Sequence, residues 1–115
     1  GTTTAYSWGA TIASSNANYN NTIGQTTDVG QYAANPWGFF DMHGNVWEWT
    51  ADRYGNYSTG NPVIDPTGSA SGSIRVLRGG SWSNDVPIVR SANRNFYTPS
   101  YGNNSSGFRV GFQQQ

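Results

Sequence analysis

Few side chains in this sequence can do chemistry, and their spacing limits what chemistry that is. His43 is the single histidine, and none of the 115 residues is cysteine. Disulfides, thiolate metal sites and cysteine nucleophiles are therefore excluded, as is a His-rich metal centre within the chain. A lone histidine inside a hydrophobic loop reads as a packing or hydrogen-bonding group rather than a catalyst. Ser81 follows Gly79-Gly80, but no histidine and acid pattern accompanies it to make a nucleophile. Two carboxylates, Asp41 and Glu48, bracket one loop; taken alone, Glu48 would pair with an arginine and Asp41 would cap a turn. All six basic residues are arginine. In so aromatic a chain they read as partners of carboxylates, carbonyls and rings. The Asn-x-Ser/Thr patterns at 20–22, 56–58 and 103–106 are expected by chance in an Asn/Ser-rich chain.

The elements that must position these groups are short. A chain of 115 residues makes one domain, 1–115, with a modest core. Charged residues are 10% and aromatics 15%, so the core is expected to rest on Trp, Tyr and Phe. Trp47, Trp49 and Trp82 are its central candidates. Residues 1–35 are polar and read as loops with at most short turns. The segment 36–52 is the most hydrophobic, and Val46–Thr50 alternates as a strand with Trp47 and Trp49 on one face. A turn-rich connection covers 56–73. Ile74–Trp82 reads as a second strand, Gly107–Phe112 as a closing strand, and 90–97 as one short helix. The expected class is α+β, with short strands, little helix and much loop.

Net charge is zero, so no global field draws the chain to nucleic acid or an anionic membrane. No apolar run approaches the ~20 residues of a membrane-spanning helix, so no membrane insertion is expected. No signal peptide is visible, and the opening Gly1 is that of a processed or excised chain.

Three blocks carry a resemblance. They are Pro36–Thr50 (PWGFFDMHGNVWEWT), Arg75–Trp82 (RVLRGGSW), and Arg90–Arg94 (RSANR) followed by Gly107–Val110 (GFRV). In this order and spacing they resemble the formylglycine-generating enzyme (sulfatase-modifying factor) family, from about Trp8 to Phe112. The resemblance implies a compact C-type lectin-like fold. It matches the C-terminal part of the family pattern; an N-terminal part carried by many members lies outside this sequence. It also implies structural Ca2+ on the 41–48 loop, held by the Asp41 side chain, the Gly44 and Val46 carbonyls and the Glu48 carboxylate. Calcium takes 6–8 oxygens, so this donor set suits it. A second family site would fall at Asn18 and the Tyr19 carbonyl, for which Asp28 is a poor positional match.

The family's founding activity uses a cysteine pair that would fall in Ser83–Val89, where this chain has none. A related branch uses three histidines around iron, which one histidine cannot supply. The resemblance therefore carries fold and calcium without enzyme activity. The chain also resembles the variable proteins of diversity-generating retroelements, whose C-terminal segment is rewritten at adenines of AAC-type codons. Residue types that such rewriting can yield fill 83–106: Asn84, Asp85, Ile88, Asn95, Phe96, Tyr97, Tyr101, Asn103, Asn104 and Ser105. They sit among the scaffold residues Arg90, Ser91, Ala92, Arg94 and Pro99. This implies a non-catalytic receptor displaying 83–106 to a protein ligand or surface receptor, at a cell, virion or other extracellular surface. Tyr and Phe would give rigid contact area, and Asn and Ser adaptable hydrogen bonds. The alternatives are an inactive fragment or remnant of a formylglycine-generating-enzyme-like protein, an enzyme completed by upstream residues, a calcium-dependent lectin, or a structural module.

Overall fold

The computed structural model describes residues 2–57, 59, 63–64 and 66–111. Four strands form one sheet: β1 (Trp47–Arg53), β2 (Arg75–Arg78), β3 (Asn95–Tyr97) and β4 (Ser106–Gly107). Their spatial order is β3-β2-β1-β4. β2 lies antiparallel to both β1 and β3, and β4 lies parallel to β1. The chain must therefore cross from one sheet edge to the other between Tyr97 and Ser106. The register places Trp49 opposite Leu77 and Val76 opposite Phe96, with an irregularity in β1 between Trp49 and Arg53.

The strand boundaries differ from the sequence expectation for local reasons. β1 runs three residues beyond Thr50. β2 stops at Arg78 rather than Trp82, because Gly79 and Gly80 turn out of the extended region with φ of 91° and 73°. The closing strand expected over 107–112 shrinks to Ser106–Gly107. Beyond it, the Arg109 side chain bonds Glu48 and the Phe40 carbonyl, and residues 108–111 leave the ladder. Phe112 lies outside the described residues.

The expected helix at 90–97 is not present, and no helix occurs among the described residues, so the class is mostly strand rather than α+β. The backbone groups a helix would use are taken elsewhere. Ser91 N–H donates to the Ala5 carbonyl, and the Ser91 and Asn93 carbonyls accept from Arg78. Asn95 Oδ1 accepts from the Phe96 N–H, the local competition that disfavours Asn within helices.

The core is more aliphatic than its composition suggests. Leu77 and Val89 are wholly buried, Val76 nearly so, and Trp47 is buried beside the sheet. Trp49 and Trp82 are only half-buried. A second cluster joins Tyr6, Ala17, Tyr19 and Val89, so the loop-like first 35 residues supply much of the core. The hydrophobic stretch Trp37–Met42 faces outward instead, with Trp37 59% exposed. Asn35 Oδ1 accepts from the Trp37 and Phe39 N–H groups, which closes a local loop and splays its side chains outward.

His43 is buried and fully partnered as a neutral ring. Its Nε2 accepts from the Ser7 N–H at 3.2 Å, so Nδ1 carries the proton and donates to the Val89 carbonyl at 2.8 Å. The edges of Trp8 and Tyr6 enclose it. Burial pushes its pKa below 6.5, opposed by the Val89 carbonyl. Protonating Nε2 would also break the Ser7 bond.

Two predictions follow from this packing. At Gly44 φ is +75°, and an added Cβ would overlap the Asn18 carbonyl oxygen. Gly44→Ala should lower unfolding free energy by about 2–4 kcal/mol in urea titration; a loss within error would show that the loop relaxes freely. For His43 the unfolded chain binds the proton more readily, so its contribution is complete above pH 6.5 and is lost as pH falls toward the depressed folded value. Melting temperature should fall from pH 6.5 to about 5, and this slope should vanish in His43→Gln. A wild-type melting temperature that rises on acidification would refute the neutral assignment.

Candidate functional site

The 41–48 loop holds three residues with left-handed backbone, Asp41, Gly44 and Asn45, and turns at the last two. Gly44 N–H donates to the Gly79 carbonyl, and Asn45 N–H to the Asn18 carbonyl, both at 2.8 Å. The Asn45 side chain reads the Thr27 main chain in both directions: Oδ1 accepts its N–H and Nδ2 donates to its carbonyl. These ties turn Asp41, Gly44, Val46 and Glu48 toward one cavity of about 360 Å³, also lined by Phe108 and Arg109.

Arg109 dominates that cavity. Its Nε and Nη2 grip both Glu48 oxygens, with the shortest contact 2.6 Å, and Nη2 also donates to the Phe40 carbonyl. The pair is partly exposed, which limits its worth to about 1 kcal/mol or less. Asp41 Oδ2 accepts from the Gly30 N–H at 2.7 Å. The hydrogen bonds that Arg109 donates to Glu48 hold its pKa above the ordinary value; burial opposes this, and the charges of Glu48 and Asp41 add to it. The four residues named for calcium thus line one cavity, where Arg109 is paired with one of the two carboxylates. No group of three or more His, Cys, Asp or Glu converges anywhere among the described residues. At the second location Asn18 is buried, and its Oδ1 has no partner. The Tyr19 carbonyl accepts from Thr22, while Asp28 is exposed.

The ten residues of 83–106 fall into separate groups. In the turn after Trp82, Asp85 is exposed and Ile88 half-buried. Asn84 is turned inward, its Oδ1 accepting from the N–H and Oγ of Ser81. On β3, alternation puts Phe96 on one face against Tyr54, ring centroids 4.2 Å apart. Asn95 and Tyr97 point to the other face, where Tyr97 stacks on Tyr101 at 4.1 Å. Asn103 Oδ1 caps the Ser105 N–H. The Asn104 carbonyl accepts from Trp82 Nε1 at 3.4 Å, which brings the 82–85 turn beside 103–105.

Much of this segment is held by main chain. Asn84 O accepts from Asn20 N–H, Ser105 O from Trp47 N–H, and Thr98 O from Tyr101 N–H. Sequence reasoning missed Asn45 and Arg109. Arg109 could have been found from its place in the Gly107–Val110 block; Asn45 is one of many asparagines and carries no such signal.

The family profile of the sulfatase-modifying factor enzyme 1-like domain matches residues 1–113. The serine/threonine-protein kinase pkn1 of Chlamydia pneumoniae is 41% identical over 108 residues, covering 90% of this chain and 17% of that protein. The formylglycine-generating enzyme of Streptomyces coelicolor is 38% identical over 88 residues, covering 73% of this chain and 28% of that enzyme. Among solved structures, Treponema denticola variable protein 1 is similar with a TM-score of 0.73 and 36% identity, covering 80% of this chain and 34% of that one. The chain spans well under half the length of each of these relatives. On its sequence and its fold, it belongs to the sulfatase-modifying factor enzyme 1-like domain family, the family of the formylglycine-generating enzymes.

Proposed function

We propose that this domain is a non-catalytic binding module on a C-type lectin-like scaffold, presenting the 83–106 surface to a protein ligand or surface receptor. One observation carries this reading. The 83–105 backbone is anchored by main-chain hydrogen bonds that do not depend on side-chain identity, while Asp85, Phe96, Tyr101 and Asn104 stand exposed. Side chains on such a frame can change without unfolding it. The likeness to a variable protein supports the same reading. So does the cysteine-free Ser83–Val89 turn. The amides of Asn84, Asn95 and Asn103 accept local N–H groups, so ligand contact falls mainly on the other seven residues. Diversification by a retroelement would supply the variation.

Calcium belongs to the same proposal as a structural ion. Its donors would be Asp41, Glu48 and the Gly44 and Val46 carbonyls, which line one cavity. Oxygen chemistry with two carboxylates fits a hard cation. Arg109 holds both Glu48 oxygens, so it competes with the ion for that carboxylate. The ion would stabilise the folded state by mass action, because the unfolded chain lacks the site.

Two experiments test these readings. Sequencing the coding locus across the source population should find substitutions concentrated in codons 83–106, at adenines of a neighbouring template copy. An invariant segment without a template copy would overturn diversification. In differential scanning calorimetry, millimolar Ca2+ should raise the melting temperature of the wild type and leave Glu48→Gln unmoved. Equal shifts in both proteins would remove calcium from this loop.

A further inference from the structure

The six acids and six arginines cancel in sum but not in space. Among the described residues the only ion pair joins Arg109 to Glu48. Three other arginines, Arg53, Arg78 and Arg94, converge on a separate cavity of about 140 Å³ beside β1 and β2. A single described carboxylate, Asp52, shares its lining, together with Tyr57 and Val76.

These guanidiniums are positioned by neutral partners. Arg53 Nη1 donates to the Ala70 carbonyl at 3.1 Å, Arg78 Nη1 to the Asn93 carbonyl at 3.0 Å, and Arg94 Nη2 to the Gly55 carbonyl at 3.1 Å. Arg94 also lies over two rings, its Cζ 3.9 Å from the Tyr57 centroid and 4.8 Å from that of Tyr54. Carbonyls and ring faces orient a guanidinium without neutralising it. Each side chain has five N–H donors, and among the described residues only one nitrogen of each is seen to donate. All three residues are half-buried, where charge is screened less than in open water.

We propose that this cavity binds a carboxylate, presented as an acidic side chain of the protein ligand. The volume accommodates a small group, on the order of four or five waters in size. Planar guanidinium forks match a carboxylate bidentately. Tyr57 and Val76 give an apolar wall for the methylene stem, and Asp52 disfavours a dianion such as phosphate. That the carboxylate comes from a protein rests on the function proposed above. The site itself does not, since Arg53 and Arg78 lie outside 83–106 and Arg94 is among its scaffold positions.

The test is an NMR titration of the arginine Nε–Hε resonances. The probes are N-acetyl-glutamate methylamide, its neutral glutamine counterpart and inorganic phosphate. The glutamate probe should shift Arg53, Arg78 and Arg94 saturably, and the glutamine probe should not. Arg53→Gln should weaken binding about tenfold, the range of one charge-assisted hydrogen bond. Asp52→Asn should tighten it several-fold, a gain that misfolding cannot mimic. Equal responses to the two amide probes, tighter binding of phosphate, or unchanged affinity in Asp52→Asn would each overturn the assignment. Population sequencing of 83–106 is a separate measurement, so failure of the diversified-surface reading is distinguishable from failure of this site.

Discussion

The structure depends most on one buried polar tie, the corner at Gly44-Asn45. Asn45 alone connects four stretches of chain. Its amide bonds Thr27, its N–H bonds Asn18, and its carbonyl receives the Trp82 N–H. Gly44 adds the bond to Gly79. In a domain with no helix among its described residues and only short strands, ladder hydrogen bonds cannot hold the loops. A buried hydrogen-bond network does so instead, and in low dielectric each lost partner leaves a costly orphan. Gly44 takes its left-handed backbone without steric cost, and the left-handed Asn45 is the strain this corner stores.

From that corner the rest follows in two directions. On one side the loop turns Asp41 and Glu48 to a common cavity, where Arg109 enters from the chain beyond β4. On the other, the bonds to Gly79 and Trp82 set the course of the chain through the close Gly80–Val89 contact. A Cβ on Gly80 would lie 2.6 Å from Val89 Cγ1. Val89 in turn joins the core of Tyr6, Ala17 and Tyr19 and accepts the His43 proton. The 83–106 segment is thus held by main-chain bonds and a few buried aliphatic groups. The aromatic side chains of β3 and Tyr101 are left to stack on neighbours near solvent.

The same economy shapes the electrostatics. With one ion pair among the described residues, the arginines are held mostly by carbonyls and rings. Arg75 also follows this pattern, bonding the Ala51 carbonyl. Partners of this kind position charge while leaving it available, whereas carboxylate partners would cancel it. The result is a neutral chain with an arginine-lined cavity beside β1 and β2 and an acid–arginine pair at the 41–48 loop.

Sequence alone determined which side-chain chemistries this chain lacks and which blocks define it. The absence of cysteine, the lone histidine and the Gly-Asn-Val-Trp-Glu-Trp block are facts of composition and order, legible without coordinates. Strands at Trp47 and Arg75 were legible because alternation of large apolar residues is a local signal. The 90–97 segment was misread because its outcome is not local: Ala5 and Arg78 take the backbone groups a helix needs. The polar first 35 residues gave no sign that Tyr6, Ala17 and Tyr19 would be buried, since periodicity reports only regular elements. Likewise the pairing of Glu48 with Arg109, 61 residues away, and the convergence of Arg53, Arg78 and Arg94 exist only once the sheet is assembled. Residue types and short spacings are written in the chain. Which distant donor meets which acceptor is decided by tertiary packing, because in a loop-rich domain those meetings do the work that regular hydrogen-bond ladders do elsewhere.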